Sequence, residues 1–163
     1  MFNIVLHQPE IPQNTGNIGR TCVATGSRLH IIRPMKFKIN EKEVKRAGMD
    51  YWDKLDLTIY DSYEDFCEKN PGAIIYYAST KAQKKYTDVK YEDNCFIMFG
   101  RESGGIPEEI LYANKENCIR IPMNEDIRSL NLSNSAAIVL YEALRQGDFK
   151  AMQTEGELTQ FSW

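Results

Sequence analysis

The chain has 163 residues, 42% apolar and 26% charged, with a formal net charge of −3; that is the size and make-up of one globular domain. No apolar run approaches the ~18 residues of a membrane span. The opening Met1-Phe2-Asn3-Ile4-Val5-Leu6 carries no basic leader or small-residue cleavage site, so a cytoplasmic protein beginning on a strand is expected rather than a secreted one.

In chain order, Asn3 to His7 is predicted as an apolar strand. Thr15 to Thr25 has helical character and stops at Gly26. Leu29 to Ile32 is a strand ending before Pro34, Glu41 to Arg46 a short helix, and Leu57 to Tyr60 a short strand. Ser62 opens a helix, with Asp65 three residues on as a near capping box. Ala73 to Ala78 and Cys95 to Phe99 read as buried strands, the second ending at Gly100. Pro107 suits a helix start extended by Glu108 and Glu109. Cys118 to Ile121 is a last strand. Ser133 to Gln146 is the clearest helix, with Ala136, Ala137, Leu140, Tyr141 and Leu144 as its apolar stripe and Gly147 as its stop. Alternating strands and helices over residues 1–163 imply one α/β domain, a mostly parallel sheet covered on both faces. Ligands in such folds bind at strand ends.

Cys22, Cys67, Cys95 and Cys118 are scattered, without a C-x-x-C pair or histidines at ligand spacing. Neither zinc nor a disulfide framework is expected, and three of the four fit reduced core thiols. The negative balance lacks the bulk basic footprint of many nucleic-acid binders. An RNA partner would need local basic surface: Lys36, Lys38, Lys42, Lys45 and Arg46 form one candidate region, and Lys81, Lys84 and Lys85 another. Tyr51, Trp52 and Tyr86 are candidates for base stacking, with core packing as the alternative for each.

Three loops carry chemistry-bearing residues. Pro12-Gln13-Asn14-Thr15-Gly16-Asn17-Ile18-Gly19-Arg20-Thr21 follows the first strand into a helix. Asn14, Asn17 and Arg20, three apart, are expected on one polar helix face suited to a phosphate or ribose. Phe99-Gly100-Arg101-Glu102-Ser103-Gly104-Gly105-Ile106-Pro107 runs from a buried strand into three glycines, which permit close approach of backbone to a ligand. Ile121-Pro122-Met123 and Arg128-Ser129-Leu130-Asn131-Leu132-Ser133-Asn134-Ser135 crowd hydroxyl and amide groups at one helix entrance, more than capping requires. Neither a P-loop nor a dinucleotide fingerprint is present.

Together, Asn14–Arg20, Phe99–Pro107 and Ile121–Ser135 resemble the three motifs of the SPOUT superfamily of RNA methyltransferases, and the opening from His7 to Arg20 resembles its TrmL/YibK type, the tRNA (cytidine/uridine-2′-O-)methyltransferases acting at the wobble nucleoside. The match runs to about Gly147. The resemblance implies a C-terminal deep trefoil knot, a bent S-adenosylmethionine in that knot with S-adenosylhomocysteine as product, tRNA bound through its anticodon region, and a homodimer whose active site is completed across the interface. It assigns donor binding to Ala78, Gly100, Ile121, Ser129 and Leu130, and catalysis to Asn14, Arg20, Glu102 and Asn131. The family pattern casts the arginine as base; guanidinium keeps its proton, so Arg20 is expected as a cation that orients a phosphate and favours the developing alkoxide. Glu102 is expected to orient Arg20 or the ribose, or to pair with Arg101. Arg101 stands where the type carries proline. The 148–163 tail matches nothing in the family and either packs on the body or extends the dimer contact. Two rivals are a non-catalytic RNA-binding module on the same scaffold, marked by failure to bind the donor, and a flavodoxin-like oxidoreductase, marked by bound yellow flavin.

Overall fold

The structure is a computed structural model that describes residues 1–38 and 51–163; the expected helix at Glu41–Arg46, with Lys42, Lys45 and Arg46, lies outside the described residues. The strands are β1 (Asn3–His7), β2 (Arg28–Ile32), β3 (Leu57–Tyr60), β4 (Ile75–Ala78), β5 (Lys84–Lys85), β6 (Phe96–Phe99) and β7 (Cys118–Arg120). The helices are α1 (Pro12–Thr25), α2 (Tyr63–Lys69), α3 (Glu108–Ala113) and α4 (Leu132–Gln146), with 3-10 turns at Trp52–Lys54 and Lys115–Asn117.

The sheet runs β3-β2-β1-β6-β4-β7-β5, and its pairings are parallel. Alternation along β1 sends Ile4 and Leu6 to one face and Val5 to the other. The first face packs on α1 and α4 through Ile18, Cys22, Val139 and Leu140. The second packs on α2 and α3 through Phe66 and Leu111. Parallel strands buried on both faces need continuous apolar runs, which is what Ile-Val-Leu and Phe-Ile-Met-Phe supply. The chain steps outward from β1 to β3 and then restarts at β4 on the far side of β6. Strand order reverses there, which opens a crevice at the carboxyl ends.

Several bounds shift by a residue or two and β5 is not among the expected strands; α1 and α4 differ in ways that have a physical reason. α1 begins at Pro12, three residues before the expected Thr15, because proline is preorganised for the first helical position. The buried stripe of α4 is Ala136, Val139, Leu140, Ala143 and Leu144; Ala137 is only partly buried and Tyr141 is exposed. At the other helix starts, Ser62 caps α2 by accepting from the Asp65 N–H at 3.1 Å. The capping box stays half-formed, since the Asp65 carboxylate accepts from the N–H of Asp61. In the tail, Phe149 and Met152 pack on the core, and residues 153–163 are exposed.

Candidate active site

A cavity of about 490 Å³ opens where β4, β6 and β7 end. Ala78, Gly100, Ile121, Ser129 and Leu130 all line it, as do Asn14, Glu102 and Asn131. Strand ends present backbone N–H and C=O groups without ladder partners, and the loops after them bring these groups into one concave surface. The volume lies within the usual range for small-molecule sites.

Glycine at position 100 has a different origin from the expected approach of a ligand. A Cβ there would lie 2.0 Å from the carbonyl carbon of Gly105 and 2.2 Å from the nitrogen of Ile106. The loop folds onto itself: Gly105 N–H donates to the Arg101 carbonyl at 2.8 Å, and Gly105 adopts φ +69°. The glycines shape a tight turn whose outer backbone walls the cavity.

Glu102 holds the wall together. Its carboxylate accepts from the backbone N–H of Glu10 at 2.8 Å and of Ile11 at 3.1 Å, and from Asn14 Nδ2 at 3.1 Å. α1 has no side-chain cap of its own, so a carboxylate from a distant loop satisfies donors before its first turn and complements its dipole. Among the described residues Glu102 forms no ion pair with Arg20 or Arg101; its carboxylate is taken by backbone donors and Asn14 instead. Asn14 Oδ1 then accepts from Asn131 Nδ2 at 3.0 Å. Asn131 Oδ1 caps α4, taking the N–H of Ser133 at 2.9 Å and of Asn134 at 3.2 Å. Asn131 is therefore the cap. Both amide orientations follow from this chain, since a carboxylate can only accept. Each amide keeps one N–H beyond those bonds.

A model of the SpoU rRNA methylase family matches residues 1–141. The chain belongs to that family. A protein of Listeria innocua is 54% identical over 94% of this chain and 92% of its own. The tRNA (cytidine(34)-2′-O)-methyltransferase of Escherichia coli is 47% identical over 90% of this chain and 94% of its own. A structure solved for insight into 2′-OH methylation of C/U34 on tRNA superposes with a TM-score of 0.85 at 40% identity, covering 92% of this chain and 98% of that one.

Within this SpoU-family fold, Arg20 is absent from the cavity lining. Asn14 is buried while Asn17 and Arg20 are exposed, so the three do not share a face. Steps of three residues on a 3.6-residue helix rotate about 60° each, which carries Arg20 away from Asn14. Its guanidinium lies 5.1 Å from the ring centroid of Tyr51, a cation–π seat. Tyr51 is itself buried, its hydroxyl donating to the Gly16 carbonyl. Tyr86 packs partly buried against the core.

Of the five expected basic groups among the described residues, four are engaged locally. Lys36 pairs with Glu10 at 2.6 Å, Lys81 with Glu108 and Lys85 with Asp88 at 3.3 Å, while Lys84 donates to the Glu116 carbonyl. Burial pushes the Cys22 and Cys95 thiols up to about 12 and raises Cys118, which leaves them unreactive as nucleophiles. No feature of the sequence singled out Glu10, whose carboxylate accepts the Ser103 N–H at 2.9 Å and so adds a second tie between the first loop and the second.

Proposed function

We propose that this protein moves a methyl group from S-adenosylmethionine to the ribose 2′-hydroxyl of the wobble nucleoside, cytidine or modified uridine, of tRNA, and that it works as a cytoplasmic homodimer on the anticodon region without a metal. The observation that carries the reading is the cavity itself: three loop backbones and the Glu102–Asn14–Asn131 chain converge on one space. The 47% identity to the E. coli cytidine-34 enzyme supports the substrate.

The lining fits the donor. Ile121 and Leu130 line the cavity and offer apolar surface to an adenine. Ser129 and the strand-end backbone offer hydrogen bonds to polar groups. Bound there, S-adenosylmethionine supplies an electrophilic methyl on a sulfonium and leaves as S-adenosylhomocysteine.

The protein's part is alignment. Charge decays in this displacement, so holding the 2′-oxygen in line behind the methyl supplies most of the acceleration, on the order of 7 kcal/mol or more. The remaining N–H groups of Asn14 and Asn131 are donors for the ribose or its phosphate. Among the described residues the cavity lining offers no carboxylate or imidazole base beyond the engaged Glu102, so the hydroxyl proton leaves to water or to a phosphate oxygen. Arg20 faces away from its own cavity. Its role as cation for the developing alkoxide is assigned across a two-fold interface, where Arg20 of one protomer serves the other's donor. The exposed Ile138 and Tyr141 of α4 are surface for that contact.

Methylating total tRNA with labelled donor and analysing the nucleosides tests the proposal. Label in 2′-O-methylcytidine or a 2′-O-methylated uridine is expected; label on a base would overturn the reaction. Arg20→Lys keeps charge but loses the planar fork, and near-wild-type turnover would contradict any role that needs the fork.

A further inference from the structure

Among the described residues two cations line the cavity, Lys81 and Arg101. Lys81 is paired with Glu108. Arg101 has no carboxylate partner among the described residues, although three lie in the surrounding segments. Glu102 is engaged by Glu10 N–H, Ile11 N–H and Asn14. Glu10 is engaged by Lys36 and Ser103 N–H, which hold its carboxyl down at about 2. Glu64 bonds its own backbone and Ser62. His7, close enough to feel the Arg101 charge, is kept neutral first by burial and then by that charge. The cavity lining therefore carries a guanidinium that no carboxylate among the described residues pairs with directly.

The side chain is also laid in place. A Cβ at Gly104 would sit 2.9 Å from Arg101 Nε and 3.3 Å from one of its terminal nitrogens. The guanidinium thus lies across the bare backbone of Gly104, while the Arg101 carbonyl closes the turn with Gly105 N–H. A planar fork held flat against a loop at a cavity mouth suits bidentate contact with a phosphate.

We infer that Arg101 anchors a backbone phosphate of the tRNA beside the methylated ribose, seated by the glycine at position 104. The inference rests on the tRNA reading above and adds a positioning residue to it. Phosphate contacts set the register of a nucleic acid on a protein, and here the register is the placement of the 2′-oxygen before the donor.

The test uses wild type, Arg101→Ala, Arg101→Lys and Gly104→Ala. Gly104→Ala keeps the arginine but puts a methyl where its guanidinium rests; φ there is ordinary and the clash is with a flexible side chain, so the variant folds. For each, S-adenosylmethionine affinity is measured without RNA, and tRNA KM is measured over a salt series. Expected for Arg101→Ala are a roughly tenfold higher tRNA KM and a log–log salt slope shallower by about one, with donor affinity within about twofold of wild type. Arg101→Lys recovers the slope but only part of the KM, and Gly104→Ala raises KM in the same direction. Loss of donor affinity in Arg101→Ala would overturn the inference by placing the donor's carboxylate on Arg101. An unchanged KM and slope would overturn it as well. If wild type makes no 2′-O-methylated nucleoside, the function assignment fails instead, and the two failures are distinct.

Discussion

Asn131 joins the scaffold to the site through opposite ends of one amide, so two substitutions can separate its roles. Its oxygen caps α4 and its nitrogen holds Asn14. Asn131→Ala removes both. Loss of an N-cap costs about 1 kcal/mol, and the abandoned Asn14 acceptor, part-buried, adds about 1 kcal/mol more. For a domain of 163 residues each kcal/mol shifts Tm by roughly 2–4 °C, so a fall of about 4–8 °C is expected. Asn131→Asp keeps an acceptor for the Ser133 and Asn134 N–H groups and places negative charge at a helix N-terminus, where it is favourable. It also sets an oxygen against Asn14 Oδ1 at the 3.0 Å where a donor stood. Asn14 must turn away, which breaks its bond to Glu102 or misplaces its free N–H. Misplacement of this order costs about 10²-fold in rate. Thermal unfolding and single-turnover tRNA methylation should therefore separate: Asn131→Asp melts within about 2 °C of wild type yet loses about two orders of magnitude in rate. If Asn131→Asp methylates at the wild-type rate, the amide chain is scaffold alone and the proposed alignment by Asn14 and Asn131 is wrong.

Three further outcomes are expected. Gly100→Ala drives a methyl into the Gly105–Ile106 backbone; it should cost more than about 3 kcal/mol and abolish donor binding, and a stable variant that binds donor would show that the turn can open. His30 is buried between Tyr60 and Asn3, and desolvation pulls its pKa from 6.5 to about 4. The unfolded chain takes up this proton below about pH 6.5 and the folded chain only near 4, so stability present above 6.5 is lost as pH falls between them, by about 3 kcal/mol; His30→Gln should flatten that part of a urea-denaturation pH series relative to wild type. Iodoacetamide at pH 8 should alkylate only Cys67 in the native protein and all four thiols once unfolded, as mass spectrometry would register, because the other three are buried.

The strands were legible because parallel strands covered on both faces must be apolar throughout, and helix ends were legible where one residue decides them, as Gly26 does with φ +64°. The two-residue β5 escaped notice because Lys84 and Lys85 form it through backbone pairing with β7, which side-chain pattern does not report. The cavity residues were found by family resemblance, and chemistry alone would have ranked them badly. Glycine at 100 answers to backbone crossing backbone, and Glu102 answers to unsatisfied N–H groups ninety-odd positions earlier in the chain. The glycines mark the loop locally, but nothing local reports these long-range partners. Arg20 was misplaced because spacing by three was taken as one face, whereas the accumulated rotation separates its ends.

The same long-range bonds explain why such a site can exist in so small a domain. Asn14 meets Glu102 across 88 positions and Asn131 across 117, so the polar chain closes only when the first, second and third loops are all in place. Contacts so distant in sequence carry a large loop-closure cost and form late. A donor that touches all three loops binds only the closed arrangement and stabilises the whole domain by mass action. At a hundredfold excess over its Kd the gain is about 2.7 kcal/mol. A small fragment touching a single loop gains less than this only if it also binds a partly open state. Melting curves with S-adenosylhomocysteine and with adenosine, each at a hundredfold excess over its own Kd, compare the two at matched occupancy. Equal shifts are expected if both bind the same closed state, and a smaller shift for adenosine would show that the third loop orders only around the amino-acid end of the donor.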